Sequence, residues 1–206
     1  MVRRRKWALG LAVLAAVALS LYLCRSAWLG VLGSLMVAGQ SDPMALGQGE
    51  AVLVPAADWI EAPGGREVIS QAASLVNRGL AGALYMSCPL YYGVSECELA
   101  QEMLVAEGFA GITIRAIPLA RVPDREEAEQ VTIWLARHGV KRVIVVLPAY
   151  KSRRLAGFYQ GLGRRYGIEM VPLTVPVRAF PPERWWRERE GRKVFAYELL
   201  RWLRLL

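Results

Sequence analysis

The chain has 206 residues, a formal net charge of +8 and an apolar fraction of 54%. The positive charge lies at the two ends. Residues 1–39 carry five basic and no acidic groups, and residues 178–206 carry eight basic and four acidic groups, whereas residues 40–177 carry 13 basic and 14 acidic groups. A nearly neutral body argues against nucleic-acid binding, so we expect no nucleic-acid partner. Basic ends suit a protein held at an anionic lipid bilayer.

The N-terminus has the composition of a membrane anchor. Four cations at positions 3–6 precede residues 7–24, which contain no charged side chain. As a helix this stretch spans roughly 27 Å, close to the hydrocarbon thickness of a bilayer. Only Arg25 follows closely, so the positive-inside rule predicts a single-pass protein of the plasma (inner) membrane, with its N-terminus cytoplasmic and its domain extracytoplasmic. A cleaved signal peptide and a cytoplasmic-facing domain are the alternatives.

The prediction divides the chain into three parts. Residues 1–25 form the cytoplasmic tip and the transmembrane anchor, residues 26–49 a juxtamembrane helix and linker, and residues 50–206 an α/β domain. The juxtamembrane helix is expected to lay Trp28, Leu32 and Leu35 on the domain or on lipid. A second membrane crossing over residues 27–38 is disfavoured, because the apolar run is short.

From Ala51 onward, apolar β-branched runs alternate with segments of helical periodicity. The predicted strands cover residues 51–55, 83–86, 112–117, 143–147 and 169–175. A loop is expected over residues 87–94, followed by a capping box of Ser95 and Glu98. The last stretch is amphipathic and is expected to pack on the domain, with membrane contact as the alternative and an interruption near Gly191 as one option. The alternation predicts a doubly wound α/β domain with a mainly parallel five-stranded sheet.

Polar residues follow the carboxyl ends of these predicted strands, where parallel sheets bind ligands. Acidic side chains in first helical turns are candidate general bases or cation ligands, although pairing with the helix dipole is the simpler interpretation. These candidate catalytic residues are Glu96, Asp124 and Glu127. The other candidates would bind a phosphate or another anionic ligand, or merely form solvated turns. These candidate ligand-binding residues are Asp58, Ser87, Arg121, Tyr150, Lys151, Arg153 and Arg154. We expect all of them to surround one crevice.

A His-rich metal site and a Ser/His or Cys/His catalytic pair are not expected, because the single histidine, His138, falls at the opposite edge of the predicted sheet. No residue is assigned to a metal, and the sequence does not identify a cofactor. Cys88 and Cys97 are nine residues apart and would form either a disulfide outside the cytoplasm or two packed thiols.

Three segments of the chain resemble the YdcF/SanA/ElyC family of bacterial envelope proteins, a domain of unknown function. These segments are AVLVP, EEAEQVTIWLARHGVKRVIVVLPAYKSRR, and the closing PPERWWRERE with YELLRWLRLL. The similarity covers roughly residues 28–206. It implies a three-layer α/β/α Rossmann-like domain that acts in cell-envelope or exported-polysaccharide biogenesis. Undecaprenyl-linked carriers are implied as ligands of some members.

The residues that match the family pattern are Glu96, Glu127, Tyr150, Arg154 and Glu198. The chain departs from that pattern where Ala56-Ala57 replace glycines, where Cys88-Pro89 replace a glycine pair, and where Lys151 replaces a histidine. We therefore expect a membrane-anchored protein that binds a phosphorylated or lipid-linked ligand. The alternative is a non-catalytic anchored scaffold with a degenerate crevice.

Overall fold

The computed structural model of the protein describes residues 2–55, 63–91, 94–120 and 122–203, without the side chains of residues 2–12, 90, 91 and 94. The helices are α1 Val2–Leu23, α2 Arg25–Ser34, α3 Gly65–Asn77, α4 Glu96–Ala106, α5 Asp124–Arg137, α6 Ala149–Tyr166 and α7 Arg189–Leu203. The strands are β1 Ala51–Val54, β2 Leu84–Ser87, β3 Leu90–Tyr91, β4 Val94–Ser95, β5 Ile114–Ile117, β6 Arg142–Pro148 and β7 Glu169–Val175. Short 3₁₀ turns cover Pro43–Leu46 and Trp185–Arg187.

Five strands form one sheet in the order β5-β2-β1-β6-β7, and every pairing in it is parallel. The chain builds outward from β1 through β2 to β5 and then returns to place β6 on the other side of β1. This reversal makes the gap between the carboxyl ends of β1 and β6 a topological switch point. The prediction of a doubly wound, Rossmann-like α/β domain with five parallel strands is confirmed.

Helices cover both faces of the sheet, because the strands bury alternate side chains on opposite sides. In β1, Val52 and Val54 pack with residues of α3 and α4, whereas Ala51 and Leu53 pack with residues of α5 and α6. The hydrophobic core is thereby split into two layers, as the continuous apolar strands predicted.

The predicted loop over residues 87–94 holds an additional element. Leu90 and Ser95 pair across the short antiparallel hairpin of β3 and β4. Ser95 still precedes α4, but its side chain makes no capping hydrogen bond, so the predicted capping box is wrong. Near the C-terminus, the predicted helical stretch is interrupted at Glu188, between the 3₁₀ turn Trp185–Arg187 and α7, whereas Gly191 itself is buried inside α7 against the backbone of Trp185.

The structure does not confirm the predicted membrane anchor, which remains a prediction. Within the described residues, no single helix has both the length and the hydropathy needed to cross a bilayer. The segments Val13–Leu23 and Arg25–Ser34, bent by 59° at their junction, meet that requirement of length and composition only as a pair.

The predicted juxtamembrane helix, α2, packs against the C-terminal part of the domain. Leu29 and Met36 contact the cluster around Trp185, whose indole Nε1 donates a 2.9 Å hydrogen bond to the carbonyl of Leu29. Farther along, Gln40 forms a parallel bridge to Leu173, so the segment predicted as a linker extends the sheet beside β7. The other side of α2 remains exposed and apolar: Trp28, Val31, Leu32 and Leu35.

Substitution of Gly33 by alanine is expected to loosen this contact. A Cβ at position 33 would lie 2.1 Å from the carbonyl oxygen of Pro182, whereas a Cβ at Gly30 would have no neighbour closer than 3.9 Å. We expect G33A to destabilise the docked helix by about 1–3 kcal/mol through overpacking. Hydrogen exchange over residues 28–38 should accelerate in G33A and not in the matched control G30A. Equal protection in both variants would show that α2 does not need this close approach.

Candidate functional site at the carboxyl edge of the sheet

A cleft opens at the switch point, between the carboxyl ends of β1 and β6. The cavity at its base has a volume of only about 20 Å³, and the cleft around it is open to solvent. Its walls are mostly apolar and include Val54, Val68, Val146 and Leu155. Such a cleft is the usual ligand position in doubly wound domains.

Lys151 is the only charged side chain among the described residues that line this cleft. It lies in the first turn of α6 and is only 3% exposed. Its ammonium nitrogen is 5.7 Å from the centre of the Tyr150 ring, which also lines the cleft. A cation at a helix N-terminus is locally unfavourable, and the nearby carboxylate of Asp124 offsets that cost. The cleft thus combines apolar walls with one buried ammonium group.

Arg154, one turn farther along α6, is engaged in a buried ion-pair cluster. Its Nε and Nη2 atoms donate hydrogen bonds to the two carboxylate oxygens of Glu198 in α7, both at 3.0 Å. Nη2 also lies 2.6 Å from Oδ2 of Asp124 in α5. Arg201 reaches the same Glu198 carboxylate at 3.2 Å. The cluster ties α5, α6 and α7 together through charge-assisted hydrogen bonds.

The electrostatics of this cluster favour its charged form. Burial on its own would raise the pKa of Asp124, but the positive charges of Lys151 and Arg154 and a hydrogen bond from Arg154 lower that pKa below its usual value. Burial likewise opposes the charge of Arg154, yet Glu198 and Asp124 raise the pKa of the guanidinium group. The ion pairs are therefore retained across the physiological pH range.

A second polar pair lies deeper at the same edge. The hydroxyl of Ser87, at the end of β2, donates a hydrogen bond to the carboxylate of Glu127 in α5, and both side chains are buried. Tyr159 of α6 is also buried, and its burial together with the negative charges of Glu127 and Asp124 raises the pKa of its hydroxyl well above the usual value. Tyr159 therefore remains protonated, and Glu127 lies among hydroxyl-bearing side chains.

The structure brings most of the predicted site residues to one edge of the sheet. Ser87 meets Glu127, and Asp124 lies close to both Lys151 and Arg154. Glu96 is buried in the first turn of α4. Two further predicted residues, Asp58 and Arg121, lie outside the described residues.

Arg153 takes a different position from the one we predicted. Its side chain is exposed, and its Nη2 donates a 3.1 Å hydrogen bond to the carbonyl of Val37. Its backbone N–H donates to the carbonyl of Met36. Arg153 therefore joins α6 to the segment after α2 and does not line the cleft.

Glu198 and Tyr159 also lie at this edge, and the sequence patterns predicted no role there for either. Glu198 falls on the buried stripe of α7 with Gly191 and Val194. An acidic residue at helical spacing on an apolar stripe indicates a buried ion pair, so the burial of Glu198 could have been predicted from the sequence. No local sequence pattern could have identified its partner, Arg154, because the two residues are 44 positions apart in the chain.

Cys88 and Cys97 are joined by a disulfide with a Cα–Cα distance of 5.4 Å, which resolves the choice that the sequence left open. The bond links the end of β2 to the first turn of α4 and encloses the hairpin.

Over the residues that the structure describes, no group of three His, Cys, Asp or Glu side chains is placed to hold a metal ion.

The strand order and the position of the cleft together define a Rossmann-like α/β domain with a cleft at its switch point. Comparison of the chain with protein-family models found no match, and comparison with curated proteins found none either. The resemblance to the YdcF/SanA/ElyC family therefore remains a prediction.

Acid titration is expected to expose the contribution of Asp124. Because its folded-state pKa is lowered, its stabilising effect is present above its unfolded pKa of about 4 and is lost as the pH falls through the folded value. Between about pH 2 and pH 4, the unfolding free energy should therefore fall more steeply in the native chain than in D124N. The measurement is urea unfolding at a series of pH values. The control is E126Q, a substitution of an exposed residue on the same helix. Parallel curves for the native chain and D124N would contradict the assignment.

Proposed function

We propose that this protein is a membrane-anchored, extracytoplasmic protein of cell-envelope or exported-polysaccharide biogenesis, which binds a phosphorylated, lipid-linked ligand in the switch-point cleft. The observation that carries the proposal is the position of Lys151, a buried ammonium group in an otherwise apolar cleft. A prenyl phosphate has the complementary chemistry, because its phosphate would meet the cation while its chain would contact the apolar walls.

The local backbone supports the same ligand class. Lys151 lies at the start of an 18-residue helix, whose first N–H groups and dipole favour a bound anion. Lys151 lines the cleft and Arg154 does not, so Lys151 is the candidate phosphate ligand of this turn.

The proposed membrane location rests on the N-terminal segment. The exposed side of α1 from Val13 to Leu23 is apolar, and α2 continues with an exposed apolar face. Four cations precede this region. An apolar surface of this extent is unfavourable in water and stable in lipid.

A hydrolytic step would need a general base. The candidate is Glu127, which accepts a hydrogen bond from Ser87 at the same edge of the sheet but is not among the described residues that line the cleft. The second candidate function is a non-catalytic anchored scaffold. It is favoured by the pairing of polar groups at this edge, where Arg154 is hydrogen-bonded to Glu198 and the Ser87–Glu127 pair is buried.

Binding of farnesyl phosphate to the full chain in detergent tests the proposal. We expect farnesyl phosphate to bind at least about tenfold more tightly than farnesol, because only the former carries the anion that Lys151 would neutralise. Release of inorganic phosphate from the bound compound, and its loss in E127Q, would assign a hydrolase. Binding without release would assign a carrier or sensor, and equal weak affinity for both compounds would leave the scaffold.

A further inference from the structure

The outward surface of α7 is divided along the helix axis into a basic half and an apolar half. Gly191, Val194 and Glu198 face the domain. At 3.6 residues per turn, the opposite side carries the remaining positions. In the first half these are the exposed cations Arg189, Arg192 and Lys193 together with the exposed Glu190, which lies 2.8 Å from the Lys193 ammonium group. In the second half they are Ala196, Tyr197, Leu199, Leu200 and Leu203.

The apolar half is unusual for a surface that faces water. Tyr197 is 66% exposed, Leu200 57% and Leu203 58%, and no charged side chain lies outward among them. Arg201, the one cation within this half, turns toward Glu198. A helix on the surface of a globular domain normally shows polar residues on its outer side. Contiguous exposed apolar residues mark an interaction surface.

The position of α7 next to α2 indicates what covers this surface. The Trp185 ring stacks on Phe195 of α7 with ring centroids 3.8 Å apart, and its indole nitrogen bonds to Leu29 of α2. Trp185 thus contacts both α7 and α2, the helix that directly follows the candidate membrane segment. The outer face of α2 and the C-terminal half of the outer face of α7 are apolar.

Charge favours lipid as the occupant. Residues 178–206 carry eight basic and four acidic groups, and one of those acids, Glu198, is buried and paired. A helix that is apolar at one end of its outer face and basic at the other suits the boundary between headgroups and acyl chains. Anionic headgroups attract such cations.

We propose that the outer face of α7 from Ala196 to Leu203 lies in the interfacial region of an anionic lipid bilayer, with Arg189, Arg192 and Lys193 at the headgroup phosphates. The Glu198–Arg154 pair holds the helix rigidly on the domain, so this face is presented without unfolding. The domain would then contact the bilayer in one fixed orientation, and the N-terminal segment would not be its only attachment to the membrane. The inference rests on the membrane location within the proposed function and is independent of the ligand.

The test uses the full chain with Cys24, its one free cysteine in the described residues, replaced by serine. The variants L200C and L203C each carry an environment-sensitive NBD label, and R137C, exposed at the far end of α5, is the matched control. Proteins are reconstituted in phosphatidylcholine vesicles with or without phosphatidylglycerol, and with a spin-labelled quenching lipid.

We expect blue-shifted, quenched emission at positions 200 and 203 and unquenched emission at position 137. Quenching should weaken when phosphatidylglycerol is omitted or salt is raised. Emission at 200 and 203 equal to that at 137, in a chain that still floats with vesicles, overturns this inference alone. So does cross-linking of position 200 between copies in place of lipid quenching. A chain that does not float with vesicles overturns both this inference and the proposed membrane location.

Discussion

Replacement of Arg154 by methionine is expected to destabilise the protein by about 3–5 kcal/mol, because it leaves buried carboxylates without their partner. The side chain of Glu198 is 2% exposed and that of Asp124 15%, so water would compensate little for the lost guanidinium group. Urea unfolding in detergent, followed by tryptophan fluorescence, measures the effect. The control is R153M, at the exposed neighbouring position, which should change the unfolding free energy by less than about 1 kcal/mol.

A double-mutant cycle separates pairing from packing. If the loss in R154M comes from unpaired charge, adding E198Q should restore part of the stability, since it removes one of the buried charges. Additive losses in the double variant would instead assign the effect to lost packing of the arginine stem. A loss as small as that of R153M would contradict the buried cluster itself.

Replacement of Lys151 by methionine is expected to reduce the affinity for farnesyl phosphate by at least about tenfold, or about 1.4 kcal/mol. Methionine retains an apolar stem of similar length, so the cleft should keep its shape while losing its cation. R153M is again the control, because it removes a charge two residues away that does not line the cleft.

The neutral analogue provides the second comparison. Farnesol should bind the native chain and K151M equally, because the apolar walls are unchanged. An unaltered affinity of K151M for farnesyl phosphate would place the anion elsewhere, whereas an equal loss of farnesol binding would indicate that the substitution had collapsed the cleft.

Local sequence patterns were sufficient to predict the architecture. The β-branched run that became β6 and the alternation that became β5 predicted two of the strands, and Gly139, with φ of 75°, marked a helix end. Parallel strands share one direction, so the turns after them had to meet at one edge. The convergence of Ser87, Glu127, Asp124 and Lys151 follows from that rule.

The roles of individual side chains at this edge were harder to predict, because they depend on contacts distant in sequence. The position of Arg154 near the start of α6 predicted a phosphate ligand, but in the structure its guanidinium group is hydrogen-bonded to Glu198 of α7. Arg153 and Lys151 are two residues apart, yet helical rotation sends one to the Val37 carbonyl and the other to the cleft. Ser95 likewise pairs with Leu90 in the β3–β4 hairpin, and its side chain makes no capping hydrogen bond.

The central claim, that the ligand occupies the switch-point cleft beside Lys151, is tested most directly by photocross-linking. A farnesyl phosphate analogue with a benzophenone on its chain is irradiated with the full chain, and the labelled peptides are identified by mass spectrometry. We expect adducts on the three segments that line the cleft, residues 54–55, 63–68 and 146–155, competed by farnesyl phosphate and diminished in K151M. Adducts confined to other parts of the chain, or labelling that K151M leaves unchanged, would contradict the assignment.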